Sequence, residues 1–205
     1  MPVILLIRHG ENDYVKKNRL AGRLPGVHLN KNGQKQAQAL AENLAGAPIK
    51  AVYSSPLERS LETAAPIAQA LSLEVQSRQG LIEVDFGEWQ DQRVRALSRT
   101  KLWKRVQGAP SRMRFPGGET FFDAQHRITQ DLDAIASLHE PKDMLVCVSH
   151  SDPIKLAVAY FLGMPIDAFQ RLSISPASIT ALYLGESGCQ LLRLNCEISI
   201  TFPKS

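Results

Sequence analysis

Residues Val3 to Ile7 form an unbroken apolar run of strand length. A strand with one wet face alternates apolar and polar residues, so a run without alternation is buried on both faces and needs helices on both sides of its sheet. Ala51 to Ser54 is a second short strand, and Met144 to Val148 is a third, strongly apolar one. Helical periodicity separates them. Ala37, Leu40, Ala41, Leu44 and Ala45 lie on one face of a helix that ends near Gly46, and Leu57, Leu61, Ala64, Ala65, Ala68 and Leu71 define another. Strand–helix alternation of this kind predicts an α/β fold, a three-layer sandwich with a mostly parallel central sheet flanked by helices.

Finer signals place the remaining elements. Ser55-Pro56-Leu57-Glu58 offers an N-cap serine, proline at the first helical position and glutamate in capping-box register. Pro66 predicts a kink or break in the helix that follows. A brief strand is expected around Leu73 to Val75, and a basic, weakly amphipathic helix from Asp91 to Gln107. A loop through Pro110 and Pro116-Gly117-Gly118 precedes a helix from about Thr120 to Leu138. Asp152-Pro153 should open a further helix that Gly163 closes. The tail reads as a hairpin, Ile179 to Leu184 and Gln190 to Leu194, turning through Ser187-Gly188. With no internal repeat, residues 1–205 are expected to form a single domain, the stretch from about 90 to 119 being an insertion that acts as a basic helical lid.

Composition excludes several classes. A chain of 205 residues buries roughly 70% of its unfolded surface, so neither disulfide nor metal is needed for folding. The longest apolar run, Leu156 to Leu162, is seven residues, against about twenty for a membrane span. The first apolar run lacks a basic region before it, so no signal peptide is expected. Three cysteines without a CxxC spacing, Cys147, Cys189 and Cys196, fit reduced thiols in a cytoplasmic protein. Net charge is +4, but it is unevenly placed. Eight basic residues and no acidic one lie between Gln92 and Gly118, leaving the rest of the chain four negative. Such a block is either a solvated helix face or a surface that attracts anions.

In open sheets, ligands bind outside the carboxyl ends of the strands, and there the sequence repeats itself. The first strand ends in Arg8-His9-Gly10-Glu11. The second ends in Ser54-Ser55-Pro56, with Arg59 on the first turn of its helix, and the third strong strand ends in Ser149-His150-Ser151. Guanidinium forks match the oxygens of a phosphate dianion, and a neutral imidazole held among them can attack phosphorus. Gly10 permits close backbone approach, and the helix after His150 adds a favourable dipole. Of the acidic residues near the middle of the chain, Glu83, Asp85 and Glu88 are equally available as a proton donor. No His/Cys spacing resembles a metal-ligand set, so neither metal nor other cofactor is expected.

These segments resemble the histidine phosphatase superfamily, also called phosphoglycerate mutase-like. The resemblance rests on Leu6-Ile7-Arg8-His9-Gly10-Glu11, Leu20-Ala21-Gly22-Arg23, Ser54-Ser55-Pro56-Leu57-Glu58-Arg59 with Glu62-Thr63-Ala64, Glu83-Val84-Asp85-Phe86-Gly87-Glu88-Trp89, Pro116-Gly117-Gly118-Glu119-Thr120 and Val148-Ser149-His150. It implies that His9 is the nucleophile that becomes phosphohistidine, that Arg8, Arg59 and His150 complete the phosphate pocket, and that Glu83 protonates the leaving alkoxide. Gly10, Asn12, Gly22, Arg23 and Ser151 fall at positions expected to bind substrate. His28, His126 and His139 are expected to be surface or packing residues.

The chain departs from the family pattern at three places. Val15 stands where members often carry asparagine, Ala21 where they often carry glutamine, and Ser151-Asp152-Pro153 where glycines usually follow the second histidine. Asp152 beside a phosphate is repulsive unless it turns away to cap its helix. The resemblance implies a metal-independent phosphomonoester hydrolase acting on a small phosphorylated substrate, with neither nucleic acid nor membrane as partner. A phosphoglycerate mutase is the alternative within the family, although mutase members tend to be longer. A non-catalytic module binding phosphate or nucleic acid is the alternative outside it, weakened by the scarcity of aromatics (Trp103, Phe115) in the basic stretch.

Overall fold

A computed structural model describes residues 2–185 and 188–197. Strand β1 (Val3–Arg8) lies inside a six-stranded sheet that also contains β2 (Ile49–Ser54), β3 (Val75–Ser77), β4 (Met144–Ser149), β5 (Ile179–Gly185) and β6 (Gly188–Cys196). The order is β3-β2-β4-β1-β5-β6. The first four strands are mutually parallel, and β5 runs antiparallel to both β1 and β6. The fold is therefore α/β with a mixed sheet.

The apolar run of β1 is explained by its two neighbourhoods. Ile4 and Leu6 face one layer with Ile128, Leu132 and Ile135 of α6 (Phe121–Ser137) and Ile154, Ala157 and Val158 of α7 (Ser151–Phe161). Leu5 and Ile7 face the other, with Leu40 and Leu44 of α2 (Lys31–Leu44) and Ala64 and Ile67 of α3 (Glu58–Ala70). All four β1 side chains are at most 1% exposed. Burial of a side chain of this size is worth about 1.5–3 kcal/mol, so one polar substitution on either face would weaken the sheet at its centre. A third cluster is built on Val84, Phe86, Trp89, Phe115, Phe121 and Phe169.

Several local expectations need correction. Ser55 does not cap α3. Leu57 occupies the cap position without a side-chain bond, and the Ser55 hydroxyl, which accepts from Leu57 N at 3.4 Å, also lies 2.8 Å from His150 Nε2. Pro66 does not break α3, which runs on to Ala70. Ala64, Ile67 and Ala68 pack against the sheet on both sides of it, which offsets the roughly 3 kcal/mol that an interior proline costs. Strand β3 begins two residues later than expected, where it can pair with Val52 to Ser54. The basic helix is two pieces, α4 (Val94–Leu97) and α5 (Lys101–Gly108). Thr100 divides them, its hydroxyl accepting from Trp103 N to start a new helix. Upstream, Asp91 sits at φ 64, outside any helix. Helix α7 opens at Ser151, with Pro153 at its third position rather than its first. The expected hairpin is β5–β6, and Ser187 of its turn lies outside the described residues. Helix α6 follows the expectation closely, with a Thr120–Asp123 capping box. Among the described residues, no helix is long and apolar enough to cross a membrane.

Candidate active site

The parallel strands bring their carboxyl ends together by register. His9 N donates to Ser149 O (3.0 Å) and Ser55 N to Val148 O (2.9 Å), so the three segments singled out from the sequence meet at one edge. Gly10 serves a different contact from the one expected of it. A Cβ there would lie 2.7 Å from Gly33 O, so the glycine lets β1's exit pack directly on α2. One-turn helix α1 (Asp13–Lys16) follows, capped by Asn12, whose carbonyl Oδ1 accepts from Val15 N (2.9 Å).

His9 is 3% exposed. Its Nδ1 lies 2.7 Å from Gly10 O, and a carbonyl can only accept, so Nδ1 carries the proton and Nε2 the lone pair. Arg59 Nε donates to that Nε2 at 3.3 Å. Burial first, then Arg59 and Arg8, pushes His9 well below the usual imidazole range, so the ring is neutral near pH 7.

Arg59 is 1% exposed, an unusual burial for a guanidinium. Its Nη2 donates to Gly22 O (2.7 Å) and faces His150 Nδ1 (3.3 Å). Arg8 Nη1 donates to Ile174 O (2.6 Å). Arg8 Nε and Arg59 Nη1 are buried and have no hydrogen-bond partner among the described residues. A buried donor left unpaired costs about 1–3 kcal/mol, more when charged. Two such donors, one on each arginine, fit an absent anion with several acceptor oxygens.

His150 is fully buried behind these groups, its ring centroid 5.1 Å from that of His9. An arginine can only donate, so His150 Nδ1 accepts from Arg59, and Nε2 carries the proton toward Ser55 Oγ at 2.8 Å. Glu83 Oε2 lies 3.9 Å from His150 Nδ1, and Glu83 Oε1 accepts from Val84 N (2.9 Å). Burial, then the negative charge of Asp152, raises the Glu83 carboxyl to about 7, against the pull of Arg59 and Arg8. Glu83 can therefore hold or release a proton near neutrality.

A cavity of about 170 Å³ collects most of the residues expected from the sequence: Arg8, His9, Asn12, Gly22, Arg59, Glu83 and Ser151 all line it. Val15, Ala21 and Asp152, the departures from the family pattern, line it too. Asp152 makes no cap bond. It pairs with Lys155 Nζ (2.8 Å) instead, which keeps its carboxylate at the cavity wall. Three expected binders stand outside its lining, among them His150, which bonds Arg59 instead. Gly10 packs against α2, and Arg23 donates to Glu83 O (2.8 Å) and Glu119 Oε1 (3.0 Å), outside the cavity lining. A larger hollow of about 560 Å³ beside His28 and Gln34 contains none of the converging arginines.

Sequence reasoning missed the support structure. Glu119 Oε1 accepts from Asp85 N (2.9 Å), Arg23 and Arg127 Nη2 (2.8 Å), and Arg127 Nη1 donates to Gly80 O and Ile82 O (both 2.9 Å). These bonds pin the loop that carries Glu83. The Pro116-Gly117-Gly118-Glu119 motif marked the region, but nothing in its spacing says that Glu119 bonds a loop 34 residues upstream. Ser55, Ser60 and Thr63 were equally silent. The first two approach His150 Nε2 (2.8 and 3.4 Å), and Thr63 Oγ1 accepts from Gly10 N (3.0 Å). His28 and His139 lie outside the site, bonded to Glu62 and Tyr53.

An α/β protein that holds a neutral imidazole between two underused arginines, opposite a carboxyl poised to protonate, is built for phosphoryl transfer. The chain belongs to the histidine phosphatase superfamily (branch 1), matching it over residues 4–197. It is 30% identical to "Phosphoserine phosphatase 1" of Hydrogenobacter thermophilus over 95% of this chain and 92% of that protein. It is also 33% identical to a 2,3-bisphosphoglycerate-dependent phosphoglycerate mutase of Thermoplasma acidophilum, over 89% of this chain and 87% of the mutase. Some mycobacterial relatives match at 35% identity, and this chain spans 52% of their length. Among solved structures, a phosphoserine phosphatase from Entamoeba histolytica in complex with 3-phosphoglyceric acid superposes with a TM-score of 0.87 at 27% identity, covering 96% of this chain and 98% of that one.

Proposed function

We propose that the protein hydrolyses small phosphomonoesters in two steps through a phosphohistidine on His9. The observation that carries this reading is the pair of buried donors without partners among the described residues, Arg8 Nε and Arg59 Nη1, on two arginines that accompany an imidazole whose unprotonated nitrogen is Nε2. In the first step Nε2 attacks phosphorus, the P–O ester bond breaks, and Glu83 gives its proton to the departing alkoxide. In the second, water attacks the phosphorus of phosphohistidine, the P–Nε2 bond breaks and returns its electron pair to His9, and Glu83, now a carboxylate, takes the proton of that water. Inorganic phosphate leaves and Glu83 regains its proton. Arg8 and Arg59 hold the phosphate oxygens and stabilise the charge that spreads over them. His150 braces Arg59 from behind, and Asn12, Gly22 and Ser151 shape the wall. Every step uses groups of the chain itself.

A mutase reading is favoured by the Thermoplasma acidophilum relative. There the phosphate on His9 passes to a second hydroxyl of phosphoglycerate instead of to water. The two readings share all residues named above and differ only in the acceptor. The basic stretch belongs to this proposal as a lid whose field draws anionic esters inward, rather than as a surface for nucleic acid. Three free thiols fit a cytoplasmic setting. Release of inorganic phosphate from a panel of esters, run beside a phosphoglycerate mutase assay, tests the choice. In His9→Ala both activities should vanish with the thermal transition retained, and near wild-type hydrolysis by that variant would overturn the covalent route. Acid-labile phosphate trapped on His9 after a rapid quench would support it directly.

A further inference from the structure

A second cavity of about 140 Å³ opens beside the phosphate site and shares Leu20, Phe86 and Asp152 with it. Leu20, Phe86, Trp89, Trp103, Val106 and Phe115 supply most of its wall, and polar side chains complete it. The aromatic members hold one another in place. Trp103 stacks on Trp89 at 6.1 Å between centroids and 21° between planes, and Phe115 meets Trp89 and Phe86 edge-on at 5.4 and 5.0 Å. Phe86, Trp89, Val106 and Phe115 are buried, whereas Trp103 is half-buried and stands on α5 of the basic stretch. An apolar cavity of roughly 150 Å³ holds one benzene ring. This space is therefore the size of a single ring, continuous with the place where a phosphate would sit.

The charges around both cavities point the same way. The cations lining them are Arg8, Arg59 and Arg19. The first two face the phosphate, and Arg19 Nη2 is paired with Asp91 Oδ1 at 2.6 Å. Lys155, close behind the shared wall, spends its ammonium on Asp152 (2.8 Å) and Gln170 (3.0 Å). A substrate with a carboxylate next to its ester would meet Glu83 and Asp152, and among the described residues lining the two cavities no cation is left free to answer it. An uncharged apolar group would meet the aromatic walls.

We propose that this cavity is the leaving-group subsite, and that the enzyme prefers phosphomonoesters whose alcohol carries one compact apolar ring over esters of hydroxy acids. The inference rests on the hydrolase reading and specifies its substrate class. Gln107 and Gln170 at the cavity margin can accept or donate one hydrogen bond to a polar atom on the ring edge. Specificity of this kind comes from burial of the ring, so it acts on kcat/KM through binding energy and not through proton transfer.

The test compares 2-phenylethyl phosphate, ethyl phosphate and 3-phosphoglycerate on the intact protein. The first two release alcohols of similar acidity, so their ratio reads the subsite alone. A phenyl ring removed from water should raise kcat/KM about 10- to 100-fold over ethyl phosphate, and over 3-phosphoglycerate as well. Trp103→Ala should bring the phenylethyl-to-ethyl ratio toward one. Calorimetric binding of 2-phenylethylphosphonate and ethylphosphonate, which cannot be hydrolysed, reads the same preference without turnover. Equal kcat/KM and equal binding for the phenyl and ethyl compounds, or a preference for 3-phosphoglycerate, would overturn the subsite while leaving the hydrolase intact. Tight phenylethylphosphonate binding with no hydrolysis of any ester would do the reverse.

Discussion

Ser55 Oγ lies 2.8 Å from His150 Nε2 and accepts the proton that this nitrogen must carry, because Arg59 can only donate to the other one. With Nε2–H donating to serine, Nδ1 is left as acceptor for Arg59 Nη2 at 3.3 Å. The serine thus orients an arginine it does not touch. Ser55→Ala should lower kcat about 3- to 10-fold, the worth of one modest hydrogen bond, and cost about 1–3 kcal/mol of stability by leaving the buried His150 Nε2–H without its close acceptor. The measurement is steady-state kinetics on one ester beside a melting curve. An unchanged kcat would mean that Gly22 O and His9 hold Arg59 without help from His150.

Arg59 should not tolerate lysine. Its Nε, Nη1 and Nη2 serve three directions at once, His9, the unpartnered side and Gly22 O, and a point charge on a flexible stem reproduces one of them. Arg59→Lys should lose about 10- to 100-fold in kcat/KM. Kinetics equal to wild type would demote Arg59 to a structural charge.

Arg23 offers a sharper distinction. The family resemblance places it among substrate-binding positions, but its donors go to Glu83 O and Glu119, so it positions the loop that bears Glu83. Arg23→Ala should therefore slow alkyl phosphates, which need a proton on the leaving oxygen, more than aryl phosphates, which do not. A uniform rise in KM for both ester types would instead restore a direct substrate contact.

The sheet and its catalytic edge were legible because their signals are local. Ile4 and Leu6 face one layer and Leu5 and Ile7 the other, so a period-two strand buried twice leaves a continuous apolar run. The strand ends carry Arg8, His9, Ser55 and His150 to one place because parallel pairing aligns them. The loop from 78 to 90 was not legible. It has no regular period, and its shape comes from side chains far along the chain, Glu119 and Arg127. The divided helix at Thr100 was missed for another reason. The hydrophobic pattern continues across it, and one hydroxyl that caps Trp103 N overrides that pattern.

The basic stretch makes a prediction about rate at distance. Arg93, Arg95 and Arg99 are exposed, so their effect on a dianionic ester is long-range and screened over about 8–10 Å at ordinary salt. In the wild type, kcat/KM should fall as ionic strength rises, and neutralising the three together should flatten that slope. If the triple variant keeps the wild-type slope, the stretch serves as a solvated face or meets another partner.

The pH dependence follows from two groups shifted in opposite directions. His9 lies well below its usual value, so it stays neutral and able to attack across the neutral range, and the acid limb of the first step falls well under pH 6.5. Glu83 must carry a proton to release an alkoxide. Its carboxyl is raised to about 7, so the proton is present below that pH and is lost as pH rises through it, which sets the alkaline limb. Asp152 is one of the groups holding Glu83 up, after burial. Removing that negative charge with Asp152→Asn makes the Glu83 carboxylate easier to form, so the limb should move to lower pH. Glu83→Gln should abolish the limb for the first step, with a loss of about 10²–10⁴ for alkyl phosphates and little for aryl ones. Burst-phase rates from pH 5 to 9 on one ester of each type make the measurement. Should Glu83→Gln slow both types equally, the leaving-group acid is a different carboxyl, and Asp152, on the same cavity wall, is the first to exchange.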